Sequence, residues 1–299
     1  MILRLLLMTS LWGICIAGLH AQANRDCRRF PAFTQKLGYD PGRSYLSTSE
    51  RTIMGLVYVE KSDNPNKKSR YWQYPSWKDA GWLGPMIITE TGEIWVAPVP
   101  SVNLLHNKPE DQNKLWHVDA QTGTMTVAME IPKPDSGQAG RSPYGLMGLG
   151  YDCDTKVMYA TSVYGSSPEA ELGKIVAIQL PELKIIAQID SIDAFGVGTV
   201  EINGKKSLYV GSARNGDVWA IPLDHKGAFA SPPEVVLSLN NMGPRGDDRA
   251  RKIRMGADGV MTIQGVEFYY NLTAPTEKQE TTYQFRFDAA RGWLLVGLR

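Results

Sequence analysis

Apolar residues along this chain recur in short runs, broken at intervals of roughly 8 to 14 residues by Gly, Pro, Asn and Asp. The runs are rich in Val, Ile, Tyr, Trp and Leu, the residues of half-buried strands. No stretch keeps a 3.6-residue apolar period long enough to predict a substantial helix. One stretch, residues 88–125, sets the pattern, and a fainter copy runs from residue 254 to 295. Thr91-Gly92 answers Asp258-Gly259, Asn103-Leu104 answers Asn271-Leu272, Val118-Asp119-Ala120 answers Phe287-Asp288-Ala289, and Gly123 answers Gly292. Repeated strand–turn–strand–loop–strand–turn–strand units predict an all-β fold, a β-propeller with one unit per blade.

Five such repeats divide the chain. The first, near 33–78, has expected strands at 33–39, 44–49, 52–60 and 70–75. The second, 81–132, has them at 86–89, 93–99, 114–118 and 125–130, with an unusually long loop at 100–113. The third, 143–190, offers 145–151, 157–163, 174–179 and 184–189. The fourth, 195–240, offers 198–202 and 207–212 around an Asn203-Gly204 hairpin turn, then 217–221 and 234–239. The fifth, 252–299, closes on an outer strand at 293–298. Five four-stranded blades follow, or six if residues 24–50 and the C-terminal region share another. A β-sandwich would explain the strands but not the recurrence.

The first residues change the picture of where this fold works. Arg4, an apolar run over 5–19 and the small-x-small site Ala21-Gln22-Ala23 read as a secretory signal peptide over 1–23. The run is too short for a membrane span. A polar leader, 24–32, then enters a single propeller domain over 33–299, expected to be secreted or periplasmic. Cys27 and Cys153 remain after cleavage, and in an exported chain they are a possible disulfide. Two buried thiols are the alternative. The formal net charge of +1 falls to 0 without Arg4, so no basic excess points to nucleic acid.

Two segments carry a family likeness. Residues 143–159 (PYGLMGLGYDCDTKVMY) and 207–221 (SLYVGSARNGDVWAI) resemble blades of the SMP-30, gluconolactonase and strictosidine synthase-like propellers and of NHL-type propellers. The resemblance implies a propeller related to metal-dependent lactone hydrolases, provided the metal ligands are present. In the lactonase-like members an Asn of the Pro-Asn-Gly-Leu signature binds the catalytic divalent metal. Tyr144 holds that place here, and Arg251 holds the place of a later ligand and base Asp. A hard divalent cation prefers carboxylate, carbonyl or amide oxygens to either.

A propeller gathers the starts of its inner strands around one channel. Trp82, Tyr144, Arg249, Arg251 and Lys252 are therefore the candidate ligand-binding residues, with Arg forks suited to a carboxylate or phosphate. The rival reading of the charged run 245–254 is a solvated connector. In the 100–113 loop, Asn103, His106, Asn107 and Asp111 are further candidates for a polar ligand. No metal site is expected, no cofactor is called for, and Gly-x-Ser-x-Gly, P-loop and HExxH motifs do not occur. Phe195-Gly-Val-Gly198 lacks the following helix of a dinucleotide site. The expected function is a binding or interaction module for a small polar or anionic molecule or a protein partner. The alternatives are a metal-dependent lactone or ester hydrolase, which alone would need a divalent cation, and a glycan-cutting enzyme with two facing carboxylates.

Overall fold

A computed structural model describes residues 21–23, 26–50, 52–64, 66–100, 105–134, 142–272 and 280–299. The fold is an all-β, five-bladed propeller. A short strand β1 (Ala21–Ala23) precedes the blades. Blade one holds β2 (Ser44–Ser47), β3 (Val57–Glu60) and β4 (Arg70–Trp72). Blade two holds β5 (Leu83–Ile88), β6 (Ile94–Pro98), β7 (Lys114–Val118) and β8 (Met125–Glu130). Blade three holds β9 (Leu146–Asp152), β10 (Val157–Ser162), β11 (Lys174–Gln179) and β12 (Lys184–Asp190). Blade four holds β13 (Ala194–Ile202), β14 (Lys205–Ser212), β15 (Asp217–Pro222) and β16 (Glu234–Ser238). Blade five holds β17 (Arg249–Met255), β18 (Val260–Val266), β19 (Thr281–Asp288) and β20 (Gly292–Leu298). Each blade is an antiparallel meander in chain order.

Alternation of side chains gives each blade two faces, and apolar residues fill the junctions between successive blades. Leu46, Tyr58 and Trp77 meet Leu83, Ile94 and Val118 between blades one and two. Trp95 and Leu115 meet Leu149, Met158 and Val176 between two and three. Tyr159 and Ile175 meet Val197, Leu208 and Ile221 between three and four, and Val200 and Tyr209 meet Ile253, Ile263 and Tyr283 between four and five. The inner strands approach closely because glycines face the next blade. A Cβ on Gly148 would sit 2.4 Å from Phe195 O, and one on Gly196 would sit 2.4 Å from the Arg251 carbonyl.

Blade one departs from expectation at both ends. The expected strand at 33–39 begins instead as one helical turn, α1 (Ala32–Gln35). Its Phe33 ring packs against Trp72 and Trp77, in space left by Gly123, whose missing side chain clears the ring. That burial outweighs the strand preference of the segment. A 3-10 turn at Pro75–Lys78 follows β4, and Trp77, fully buried, donates from Nε1 to Gly123 O at 2.8 Å.

The described part of the leader is tied down at two points. Arg29 N donates to Thr89 O, and Cys27 is bonded to Cys153 in the β9–β10 turn. The end of the segment expected to be cleaved, β1, pairs antiparallel with β13, Ala21 opposite Ile202 and Ala23 opposite Val200. Among the described residues no helix is long and apolar enough to cross a membrane.

Candidate functional site

Four of the five inner strands carry an extra residue near their N-terminal ends. The register shifts between Leu83 and Met86 on β5, at Met147 on β9, between Ala194 and Val197 on β13, and at Arg251 on β17. A bulge of this kind bends the strand and re-aims a side chain. Its recurrence at one level of successive blades lines the channel mouth with residues distant in sequence. Met147 and Phe195 join Val163 and Ala213 in a buried neck there, and Tyr144, Val266, Phe268 and Tyr270 pack over it.

The aromatic part is a chain of ring contacts. Phe268 is 5.2 Å from Tyr144, 5.0 Å from Phe195 and 5.2 Å from Tyr270, all tilted or edge-on. Such contacts stabilise the rings against one another. Burial pushes the Tyr144 phenol above its ordinary pKa, so it is a neutral donor and acceptor at any physiological pH.

A buried carboxylate fixes one end of this chain. Asp193, wholly buried, accepts from Ser166 Oγ at 2.5 Å, Gly173 N at 3.0 Å and Tyr270 Oη at 2.6 Å, and pairs with Arg214 Nη2 at 2.7 Å. The Arg214 guanidinium also lies 5.3 Å from the Tyr270 ring centre. Burial first, and the bond to Asp193 second, hold the Tyr270 phenol far above the ordinary range. This network positions Tyr270 and was not legible in the sequence, since its members come from blades three, four and five.

The cations stand on β17. Arg249 donates from Nε to Ala213 O at 3.3 Å and from Nη1 to Asp247 O, which places it against the neck. Arg251, at the bulge, pairs with Glu280 at 2.6 Å, both half-exposed. Arg249 thus lies beside Ala213 of the neck, Tyr144 belongs to the aromatic cluster, and Arg251 is held by Glu280. Lys252 lies one step further along β17, on the face turned away from blade four. Trp82 sits at the start of blade two's inner strand and is not part of the aromatic cluster.

The 105–113 part of the long loop is structural in the main. Asn107, 2 % exposed, accepts from Trp82 N at 2.8 Å and donates to Trp82 O at 2.9 Å, so it bridges that backbone. Asp111 pairs with Lys114 at 2.5 Å, and His106 is exposed. Asn103 lies outside the described residues. Among the described residues no three His, Cys, Asp or Glu side chains gather as a metal site would require.

The sequence matches no protein-family model and no curated protein. Solved structures resemble the fold. A structural-genomics protein from Lactobacillus plantarum aligns with TM-score 0.51 and 9% identity over 87% of this chain and 69% of its own. A candidate 6-phosphogluconolactonase from Bacteroides uniformis gives 0.49 and 14%, over 86% and 67%. A PQQ-bound aldose sugar dehydrogenase from Streptomyces coelicolor gives 0.40 and 14%, over 77% and 71%. At these identities the likeness speaks for the propeller fold alone.

Proposed function

We propose that this is an exported β-propeller binding module whose channel mouth holds a small polar or anionic ligand. The observation that carries the reading is the recurrence of an inner-strand bulge from blade to blade, with Tyr144, Phe195 and Phe268 clustered beside the bulges of blades three and four and Arg249 and Arg251 standing at that of blade five. A ligand with a flat or apolar face stacks on Phe268 and Tyr144, and its anionic group takes the Arg251 fork in exchange for Glu280. The Cys27–Cys153 bond is in keeping with an oxidising compartment. A thermal-shift screen of sugar acids and aromatic acids tests the reading. Ligands should raise the melting temperature of the wild type and fail to do so in Phe268→Ala. A full response in Phe268→Ala would refute the site.

A hydrolase of the SMP-30 and gluconolactonase type is the second reading, favoured only by the blade likeness at 143–159 and 207–221. Its metal needs oxygen donors, and the residues standing at the ligand places, Tyr144 and Arg251, are a phenol within an aromatic cluster and a paired guanidinium. These residues do not fit a divalent cation. One equivalent of bound divalent metal in the purified protein, by mass spectrometry, would reverse that ranking.

A further inference from the structure

The hairpin that opens blade four outruns the strand it packs on. β13 spans 9 residues and β17 spans 7. The glycines fix their level: a Cβ on Gly196 would meet Arg251 backbone, and one on Gly198 would meet Ile253 O at 2.3 Å. Val200 is therefore level with Met255, the last residue of β17, and Ile202 and the Asn203-Gly204 turn lie beyond it. Gly198/Tyr209, Val200/Ser207 and Ile202/Lys205 are cross-strand pairs of one face. That face packs on blade five through Val200, Ile202 and Tyr209. Where the facing strand stops, a pocket of about 260 Å³ opens, lined by Val200, Ile202, Asn203, Lys205, Ser207 and Tyr209. It lies at the turn end of β13, opposite the bulge at the mouth. β1 meets β13 through its backbone edge and not through this face.

The lining specifies an occupant. Val200, Ile202 and the Tyr209 ring form an apolar floor, with Tyr209 Oη held by Trp293 Nε1 at 3.1 Å. Lys205 and Asn203 are exposed and Ser207 is half-buried, and among the described residues none of these three side chains has a partner. Lys206 belongs to the other face of the hairpin, where Asp152 and Asp154 hold it, each at 2.8 Å. Lys205 is thus the cation of the hairpin left for a ligand. Among the described residues lining the pocket none is acidic, so a metal ion or an amine finds no countercharge. An ammonium, a hydroxyl and an amide are donors that suit a carboxylate. Phosphate or sulfate would take the same donors and leave the floor in water, whereas an aliphatic tail covers it. At about 30 Å³ for each water-sized group, the pocket holds about nine non-hydrogen atoms.

We propose that this pocket binds a small aliphatic monocarboxylate of about six carbons, its carboxylate on Lys205, Ser207 and Asn203 and its tail on Val200, Ile202 and Tyr209. The proposal stands on the junction of blades four and five and is independent of the channel-mouth reading.

Methyl NMR of the disulfide-bonded protein, labelled at isoleucine and valine and titrated with hexanoate, tests it. The Val200 and Ile202 resonances should shift saturably, with a dissociation constant of about 1 mM or below. Affinity should fall roughly fourfold for each methylene removed, through pentanoate to butanoate. Hexanamide, the neutral isostere, should bind about tenfold more weakly or worse. Lys205→Gln should weaken hexanoate binding about tenfold and Ser207→Ala severalfold. Neither side chain is buried, so both variants should melt within a few degrees of the wild type. Phe268→Ala, at the mouth, should bind hexanoate as the wild type does. No saturable shift at Val200 and Ile202, hexanamide binding as tightly as hexanoate, or an unaltered Lys205→Gln variant would overturn the proposal. So would acetate or sulfate binding as tightly as hexanoate, since the floor would then contribute nothing. Loss of the shift in Phe268→Ala would assign the binding to the mouth and overturn it equally.

Discussion

Replacing Asp248 by Asn tests how the entry to β17 is held. Arg245 is 6% exposed and Asp248 is wholly buried at their side chains. Arg245 Nε donates to Asp248 Oδ1 at 2.6 Å and Nη2 to Oδ2 at 3.0 Å, a bidentate pair. Arg245 Nη2 also reaches Gly265 O at 3.2 Å and Thr281 Oγ1 at 2.8 Å, and Tyr283 Oη donates to Asp248 Oδ2 at 2.8 Å. In Asp248→Asn the guanidinium keeps Gly265 O and Thr281 Oγ1 and loses the charge of its bidentate partner. Tyr283 keeps Met242 O, at 3.2 Å, as an alternative acceptor. The dominant cost is thus the breaking of a buried bidentate ion pair, about 3–5 kcal/mol. For a chain of this size that lowers the melting temperature by about 6–12 °C. Arg245→Met/Asp248→Leu removes both charges and should recover most of the loss. Urea unfolding followed by tryptophan fluorescence reads the difference. A cost below about 1 kcal/mol for Asp248→Asn, or a double variant less stable than the single one, would refute the reasoning.

Three further outcomes are expected. In Gly196→Ala the new Cβ meets Arg251 backbone at 2.4 Å, so the inner strands of blades four and five must separate; stability should fall by about 1–3 kcal/mol in denaturant unfolding, and any mouth ligand should bind more weakly. Cys27→Ser opens a covalent loop spanning 126 residues, and chain entropy sets the loss at up to about 4–5 kcal/mol, read from melting temperatures with and without reductant. Burial first, then Arg251, holds the Lys252 pKa below its ordinary value. The strain of charging it is therefore present at neutral pH and is relieved as pH rises through the lowered pKa toward the unfolded one. Urea unfolding of the wild type and of Lys252→Gln at neutral and at alkaline pH reads this: the wild type should gain stability relative to the variant as pH rises.

Much of the architecture was readable because strand alternation and turn chemistry are local. β7, β8 and β11 span the predicted residues, and the Asn203-Gly204 turn closes the predicted hairpin, both residues at positive φ. The 33–39 segment failed because Phe33 answers to Trp72, Trp77 and Gly123, partners that no local pattern announces. At the mouth, Tyr144 was picked out from its place just before β9, and Arg249 and Arg251 from the charge run at the start of β17. Phe268 and Tyr270 were not, since they follow β18 on the loop side and reach the channel through contacts with blades three and four. A usable signal was present: Gly148-Leu-Gly150 and Gly196-Val-Gly198 put bare backbone on one strand face, as close blade contact requires.

The most direct test of the binding-module account uses Met147, whose side chain lines the channel neck. Methionine-methyl NMR of the labelled protein, titrated with a sugar-acid or aromatic-acid ligand from the thermal screen, follows it alongside Met158, buried between blades two and three. The account predicts that the Met147 resonance shifts saturably while Met158 stays in place, and that Phe268→Ala abolishes the shift. Saturable binding that leaves Met147 unmoved would contradict it.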